Sequence, residues 1–140
     1  MTVDYEIIFE DDNWAVNDKQ GNYKINLDDR LLELSVNTIR FLQTISNQKE
    51  YDVIRYQLSK SVTSIGANYQ ESQACTDKEF YNKISICLRE ARETRYWFQI
   101  LNKLTLGDEE KREVLIKESE EITKIIGAIR SKVYHKLNNK

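Results

Sequence analysis

The chain holds one imidazole, His135, and its isolation limits what the polar residues can do. A di-iron carboxylate centre in a helical bundle takes a Glu-x-x-His pair from each of two helices and two further glutamates. Glu90 and Glu93 have the three-residue spacing, but no histidine completes either pair. Cys87 or Ser64 as a nucleophile needs a neighbouring base, and His135 falls on another element. The four glycines stand singly, so no glycine-rich loop cradles a phosphate. The expectation is a protein with no catalytic residue, no metal and no cofactor.

The residues with a better claim to chemistry are cationic and aromatic. Arg89, Arg92 and Arg95 recur every three residues beside Tyr96 and Trp97. Arg55, Lys60, Arg130 and Lys132 add positive charge elsewhere. Guanidinium and ammonium groups neutralise phosphates, and aromatic faces stack bases. This pattern makes RNA or DNA, or a nucleic-acid-processing protein, the expected partner. Two features oppose it. Helical steps spread the three arginines over about 120° of surface, and Glu90 and Glu93 lie among them. Intrahelical pairs such as Arg89–Glu93 are the competing reading.

The elements that position these residues read as four helices. Asn26 is a good N-cap, with Asp28 and Asp29 in the turn that follows. Leu27, Leu31, Leu34, Thr38 and Phe41 then keep one face, extended by Ile45. Asn47-Gln48-Lys49 breaks the pattern. The second helix runs from about Tyr51 to Gln73, with Tyr51, Ile54, Leu58, Ser61, Ile65, Asn68 and Ser72 on its seam. Thr76 with Glu79 forms a capping box. Phe80, Ile84, Cys87, Ala91, Thr94, Phe98 and Leu101 make the third seam, which Leu106-Gly107 ends. Asp108 caps the fourth helix, whose stripe is Leu115, Ile122, Ile126, Ile129 and Val133. Short connections make neighbours antiparallel. The predicted fold is all-α: an antiparallel up-down four-helix bundle over residues 27–140. Residues 1–26 form an extended arm, with a hairpin folded near Asn17–Asn22.

Two details of the pattern are unusual. Gly66 lies mid-helix, where glycine costs about 1 kcal/mol relative to alanine, so a close backbone approach is expected there. Ser64, Asn68, Glu71 and Glu93, with Thr94, read as a structural polar network between helices two and three, with Asn68 at least partly buried. Helix three also carries more apolar surface than one seam requires. Tyr96, Trp97 and Ile100, with Leu104, lie off it. A subunit interface is the preferred reading and a broad core face the alternative.

Two strings, Gln57-Leu58 with Thr63-Ser64-Ile65-Gly66-Ala67-Asn68 and Glu71, and Phe80 and Lys83 with Glu90-Ala91, Glu93-Thr94 and Tyr96-Trp97, resemble the bacterial four-helix bundle proteins. These are also called intervening-sequence proteins, because some members are encoded inside large-subunit ribosomal RNA genes. The resemblance runs from about Leu27 to the C-terminus and implies an up-down bundle, a ring-like homopentamer and no established activity. A distant branch, the accessory proteins of diversity-generating retroelements, binds nucleic acid and a reverse transcriptase. The arm has no counterpart in the compact members.

Composition bounds the rest. The chain of 140 residues, 40% hydrophobic and without proline, suits one helical domain. No run of about 20 apolar residues suggests a membrane span, and the acidic start is no secretory address. Cys75 and Cys87 read as reduced thiols of a cytoplasmic protein. Residues 1–29 carry eight acids against two lysines, and from Ile122 onward there are five basic residues and no acid. A self-assembling bundle that presents a repeated nucleic-acid-binding surface is the leading expectation. The alternative is a protein–protein adaptor whose contact is the arm.

Overall fold

The computed structural model describes residues 5–10, 13–18 and 24–139, with side chains from Asn26 to Asn139. Four helices dominate: α1 (Leu27–Leu42), α2 (Asp52–Ser72), α3 (Asp77–Lys103) and α4 (Glu109–Asn138). Each packs on its sequence neighbours, and α1 closes the square against α4. This is the expected antiparallel up-down bundle, because none of the connecting loops is long enough to cross it.

Local chemistry sets the helix ends. The Asn26 side chain accepts the Asp28 N–H at 2.9 Å and starts α1. At α3 the Thr76 hydroxyl accepts the Glu79 N–H at 3.4 Å, while the Glu79 carboxylate accepts the Thr76 N–H at 3.0 Å. Asp108 caps α4 through the Lys111 N–H at 2.9 Å. The end of α3 differs from expectation. It closes at Thr105, which takes the left-handed conformation (φ 51°), before Gly107 at φ 76°. The Thr105 N–H bonds the Asn102 carbonyl at 3.2 Å and the Leu106 N–H bonds the Leu101 carbonyl at 3.0 Å. A β-branched residue therefore stands where glycine is favoured.

The core is one continuous apolar cluster running the length of the bundle. The α1, α3 and α4 seams fall where the apolar period places them, except that Phe80 is only half-buried. On α2 the seam is broader than expected: Ile54, Leu58, Ser61, Ile65 and Ser72 are buried where the period places them. Val62 and Tyr69 are also buried, whereas Asn68 is half-buried and Tyr51 stands at the margin. Gly66 faces Leu31 of α1. A Cβ added there would sit 3.6 Å from the Leu31 Cβ, an ordinary contact. The close backbone approach expected at Gly66 is thus not found.

The arm contains three short strands, β1 (Tyr5–Glu10), β2 (Asn13–Asp18) and β3 (Lys24–Asn26), in an antiparallel sheet of that order. The expected hairpin corresponds to β2–β3, with Val16 opposite Ile25. A second hairpin, β1–β2, was not legible in the sequence. Residues 19–22 of the expected turn, and Tyr23 after it, lie outside the described residues. At about 24 Å, α1 is far shorter than α4 at about 45 Å. β1 lies against α4, and β2 and β3 against α1.

Two buried arginines tie the bundle together, and neither stood out in the sequence. Arg30, 7% exposed, reaches from α1 to α4. Its Nε donates to both Glu118 oxygens at 3.1 and 3.0 Å, and its Nη2 lies 2.7 Å from Glu121 Oε2. Arg112, 3% exposed, donates to Asn102 Oδ1 at 3.2 Å and to the Leu106 carbonyl at 2.8 Å. It places a cation at the negative end of the α3 dipole. Both occupy seam positions, three residues from Leu27 and Leu115. That spacing was the available signal.

Candidate functional site

Helix α3 is the organising element, since it carries the arginine series and the off-seam aromatics on a 27-residue rod. Arg89 and Arg92 are exposed and Arg95 is half-buried. None of the three makes a hydrogen bond or ion pair with a described residue. The alternative Arg89–Glu93 pair does not form. Instead the Glu93 carboxylate accepts the Trp97 Nε1–H at 3.2 Å. Glu90, half-buried beside them, has its carboxyl pushed above the ordinary range. Burial is the main cause and the Glu93 charge adds to it, while Arg89 and Lys60 pull the other way.

The other cationic candidates are less uniform. Arg55 is engaged by its own loop: it donates to the Ile45 carbonyl at 3.0 Å and to the Ser46 carbonyl, and pairs with Asp52 at 3.2 Å. Arg130 donates from Nε to Ser85 Oγ at 2.9 Å and lies 4.9 Å over the Tyr81 ring. Lys60 and Lys132 are exposed. Arg89, Arg92 and Arg95 thus follow one another along α3 without described partners, whereas Arg55 is committed to joining α1 and α2.

The expected polar network does not form as one unit. Asn68 Nδ2 donates to the Ser64 carbonyl at 2.8 Å and to Ser64 Oγ at 3.0 Å, all within α2. Glu71 is exposed and pairs with Lys83 of α3 at 2.6 Å. Glu93 lies ten residues, about 15 Å, further along α3, and is held by Trp97. The buried polar link between α2 and α3 is a different pair: Thr94 Oγ1 lies 2.9 Å from Ser61 Oγ. Seven residues earlier on α3 the Cys87 thiol donates to the Ile65 carbonyl at 3.5 Å. Burial pushes that thiol up to about 12, so it stays protonated and unreactive at neutral pH.

The off-seam apolar residues divide between core and surface. Trp97 and Ile100 are half-buried against their own core. Tyr96 remains 55% exposed, packed edge-on to Trp97 with ring centroids 5.3 Å apart. Leu104, and Val53 at the same end of α2, are also exposed. Among the described residues, no cluster of three or more His, Cys, Asp or Glu is placed to hold a metal ion. No described helix is long and apolar enough to cross a membrane.

The family model described as 23S rRNA-intervening sequence protein matches residues 26–128. The chain belongs to this family. The match begins at the N-cap of α1 and leaves the arm outside. A solved crystal structure from Bacteroides thetaiotaomicron VPI-5482 is similar, with 36% identity and a TM-score of 0.63. It is described as a protein with unknown function from the S23 ribosomal protein family. The match covers 74% of this chain and 97% of that one. Among curated proteins, nothing matches. Neither family description names an activity, so the function rests on the chemistry of the surface.

Proposed function

We propose that this intervening-sequence family member is a non-catalytic, self-assembling cytoplasmic protein that presents the arginine face of α3 to RNA or DNA. One observation carries the reading. Arg30, Arg55, Arg112 and Arg130 are each tied by described hydrogen bonds. Arg40 on α1 and Arg89, Arg92 and Arg95 on α3 are left without such partners, and α3 alone carries three of them in series, although Glu90 and Glu93 stand among them. Cations held on a rigid helix and not neutralised internally suit phosphate contact. Tyr96, with the exposed flanks of Trp97 and Ile100, supports a contact between copies, consistent with the homopentamer that the resemblance implies. A ring repeats a weak cationic face and multiplies its affinity.

Binding to mixed single- and double-stranded oligonucleotides across a salt series tests this. A log–log slope steeper than about −3 supports phosphate contacts, and replacing Arg89, Arg92 and Arg95 by glutamine flattens it by about 2 to 3 per protomer. Absence of retention at low salt overturns the reading. Light scattering at micromolar concentration tests assembly, and a monomeric mass removes that part. The adaptor reading draws on one observation, that the arm lies outside the family match. Loss of a protein partner on deleting residues 1–26, with no nucleic-acid binding by the full chain, favours it.

A further inference from the structure

At the end of the bundle where α3 begins and α4 finishes, four side chains form a cluster that the arginine face does not include. The Tyr81 ring lies 6.0 Å from the Tyr134 ring, tilted by 43°. Tyr134 in turn meets His135 edge-on at 5.7 Å. Arg130 sits 4.9 Å over Tyr81 and is oriented by Ser85, whose hydroxyl donates to the Tyr81 carbonyl at 2.8 Å. Tyr134 is 48% exposed and His135 is exposed. Only the Nε of Arg130 is engaged among the described residues, so its two terminal nitrogens remain available as a fork.

The α4 side of the cluster is basic. From Ile122 onward α4 carries no acid. The acids that α3 brings to this end are committed: Asp77 lies 3.4 Å from Lys136, and Glu79 closes the capping box. Tyr81, Ser85, Leu88 and Arg92 step by four, three and four along α3, so one helix stripe leads from the aromatic cluster to the arginine face. On the facing side α4 offers Gly127, where an added Cβ would still be 3.9 Å from Leu88 Cδ1. The acids of α4, Glu109 to Glu121, lie beyond Arg92 and bound the track.

We propose that Tyr134, with Tyr81, His135 and Arg130, is a stacking platform for an unpaired base of single-stranded nucleic acid, the adjoining phosphate lying on the Arg130 fork. A base has two faces to offer, and a half-exposed tyrosine already braced by two rings supplies a fixed surface for one of them. A duplex keeps its bases stacked on each other and cannot use it. This inference rests on the nucleic-acid reading above and names the form of ligand.

The probe is a fluorescein-labelled oligouridine of about twelve nucleotides, compared with an abasic oligomer of equal length and charge. The full chain is expected to bind the oligouridine more tightly than the abasic strand. Tyr134→Ala is expected to weaken oligouridine binding about tenfold while leaving abasic binding unchanged, and Tyr134→Phe to keep the parental affinity. Circular dichroism checks that each variant folds. Equal binding of the two strands by the parent, or unchanged oligouridine binding by Tyr134→Ala, overturns the platform and leaves the arginine reading standing. Binding of neither strand at low salt overturns both.

Discussion

Two glycine-to-alanine substitutions are expected to move stability in opposite directions. Gly107 has φ 76°, where an L side chain costs about 1 kcal/mol. Its added Cβ would lie 2.7 Å from Phe41 Cζ and 2.9 Å from Thr44 Oγ1. Phe41 is 1% exposed and fixed in the core. The Thr44 hydroxyl donates to the Phe41 carbonyl at 2.7 Å and accepts the Asp108 N–H at 3.0 Å, joining the end of α1 to the start of α4. Neither neighbour yields freely, so overpacking adds about 1 to 3 kcal/mol. Gly107→Ala is therefore expected to destabilise by about 2 to 4 kcal/mol. Gly66 is an ordinary helical glycine with room for a methyl, so Gly66→Ala removes a penalty of about 1 kcal/mol. A stabilisation of about 0.5 to 1 kcal/mol is expected. Urea unfolding followed by circular dichroism at fixed protein concentration reads both, with an unchanged slope marking a true stability effect. The reasoning fails if Gly107→Ala unfolds at the parental midpoint. It fails equally if Gly66→Ala loses more than about 1 kcal/mol, since that would mean α1 and α2 meet more closely than the Leu31 contact allows.

Other outcomes follow from single contacts. Thr105→Gly relieves a β-branched residue of its left-handed backbone and is expected to raise stability by about 1 kcal/mol in the same urea assay. Thr94→Val removes the hydroxyl that meets Ser61 and is expected to cost about 1 kcal/mol; a double-mutant cycle with Ser61→Ala measures the coupling, and strict additivity contradicts the link. Burial raises the folded pKa of Glu90, so its ionised form opposes folding. Glu90→Gln is therefore expected to be more stable than the parent at pH 7. That advantage shrinks as pH falls through the folded pKa and vanishes below the ordinary value of 4.5, where both states are protonated; melting temperatures across pH 3 to 7, a range of about four units, check the sign. Arg112→Met leaves the carbonyl of Leu106 and the amide of Asn102 without their donor and is expected to cost about 2 to 4 kcal/mol in the urea assay.

The amino-acid order alone was enough to define the four helices, the N-caps of α1, α3 and α4 and every buried residue of α3, while on α4 it placed Leu115, Ile122, Ile126, Ile129 and Val133 but not Arg112, Ser119, Thr123 or Ile125. Those features depend on the 3.6-residue period and on side chains a few positions from the backbone groups they cap. The extension of the α2 seam to Val62 and Tyr69 was not legible, because the period gives one stripe and not how far the neighbouring helices widen it. Asn68 and Tyr69 differ by 100° on the helix, and only the positions of α1 and α3 together bury the tyrosine. The same limit hid the partners of charged groups. Glu71 and Glu93 read equally well as one network until the helix register set Lys83 beside the first and Trp97 beside the second. Which arginines tie the fold and which have no partner among the described residues was likewise a tertiary decision. Arg55, Arg112 and Arg89 are alike in sequence, but a guanidinium is neutralised only by carbonyls and carboxylates that the fold brings within about 3 Å of it.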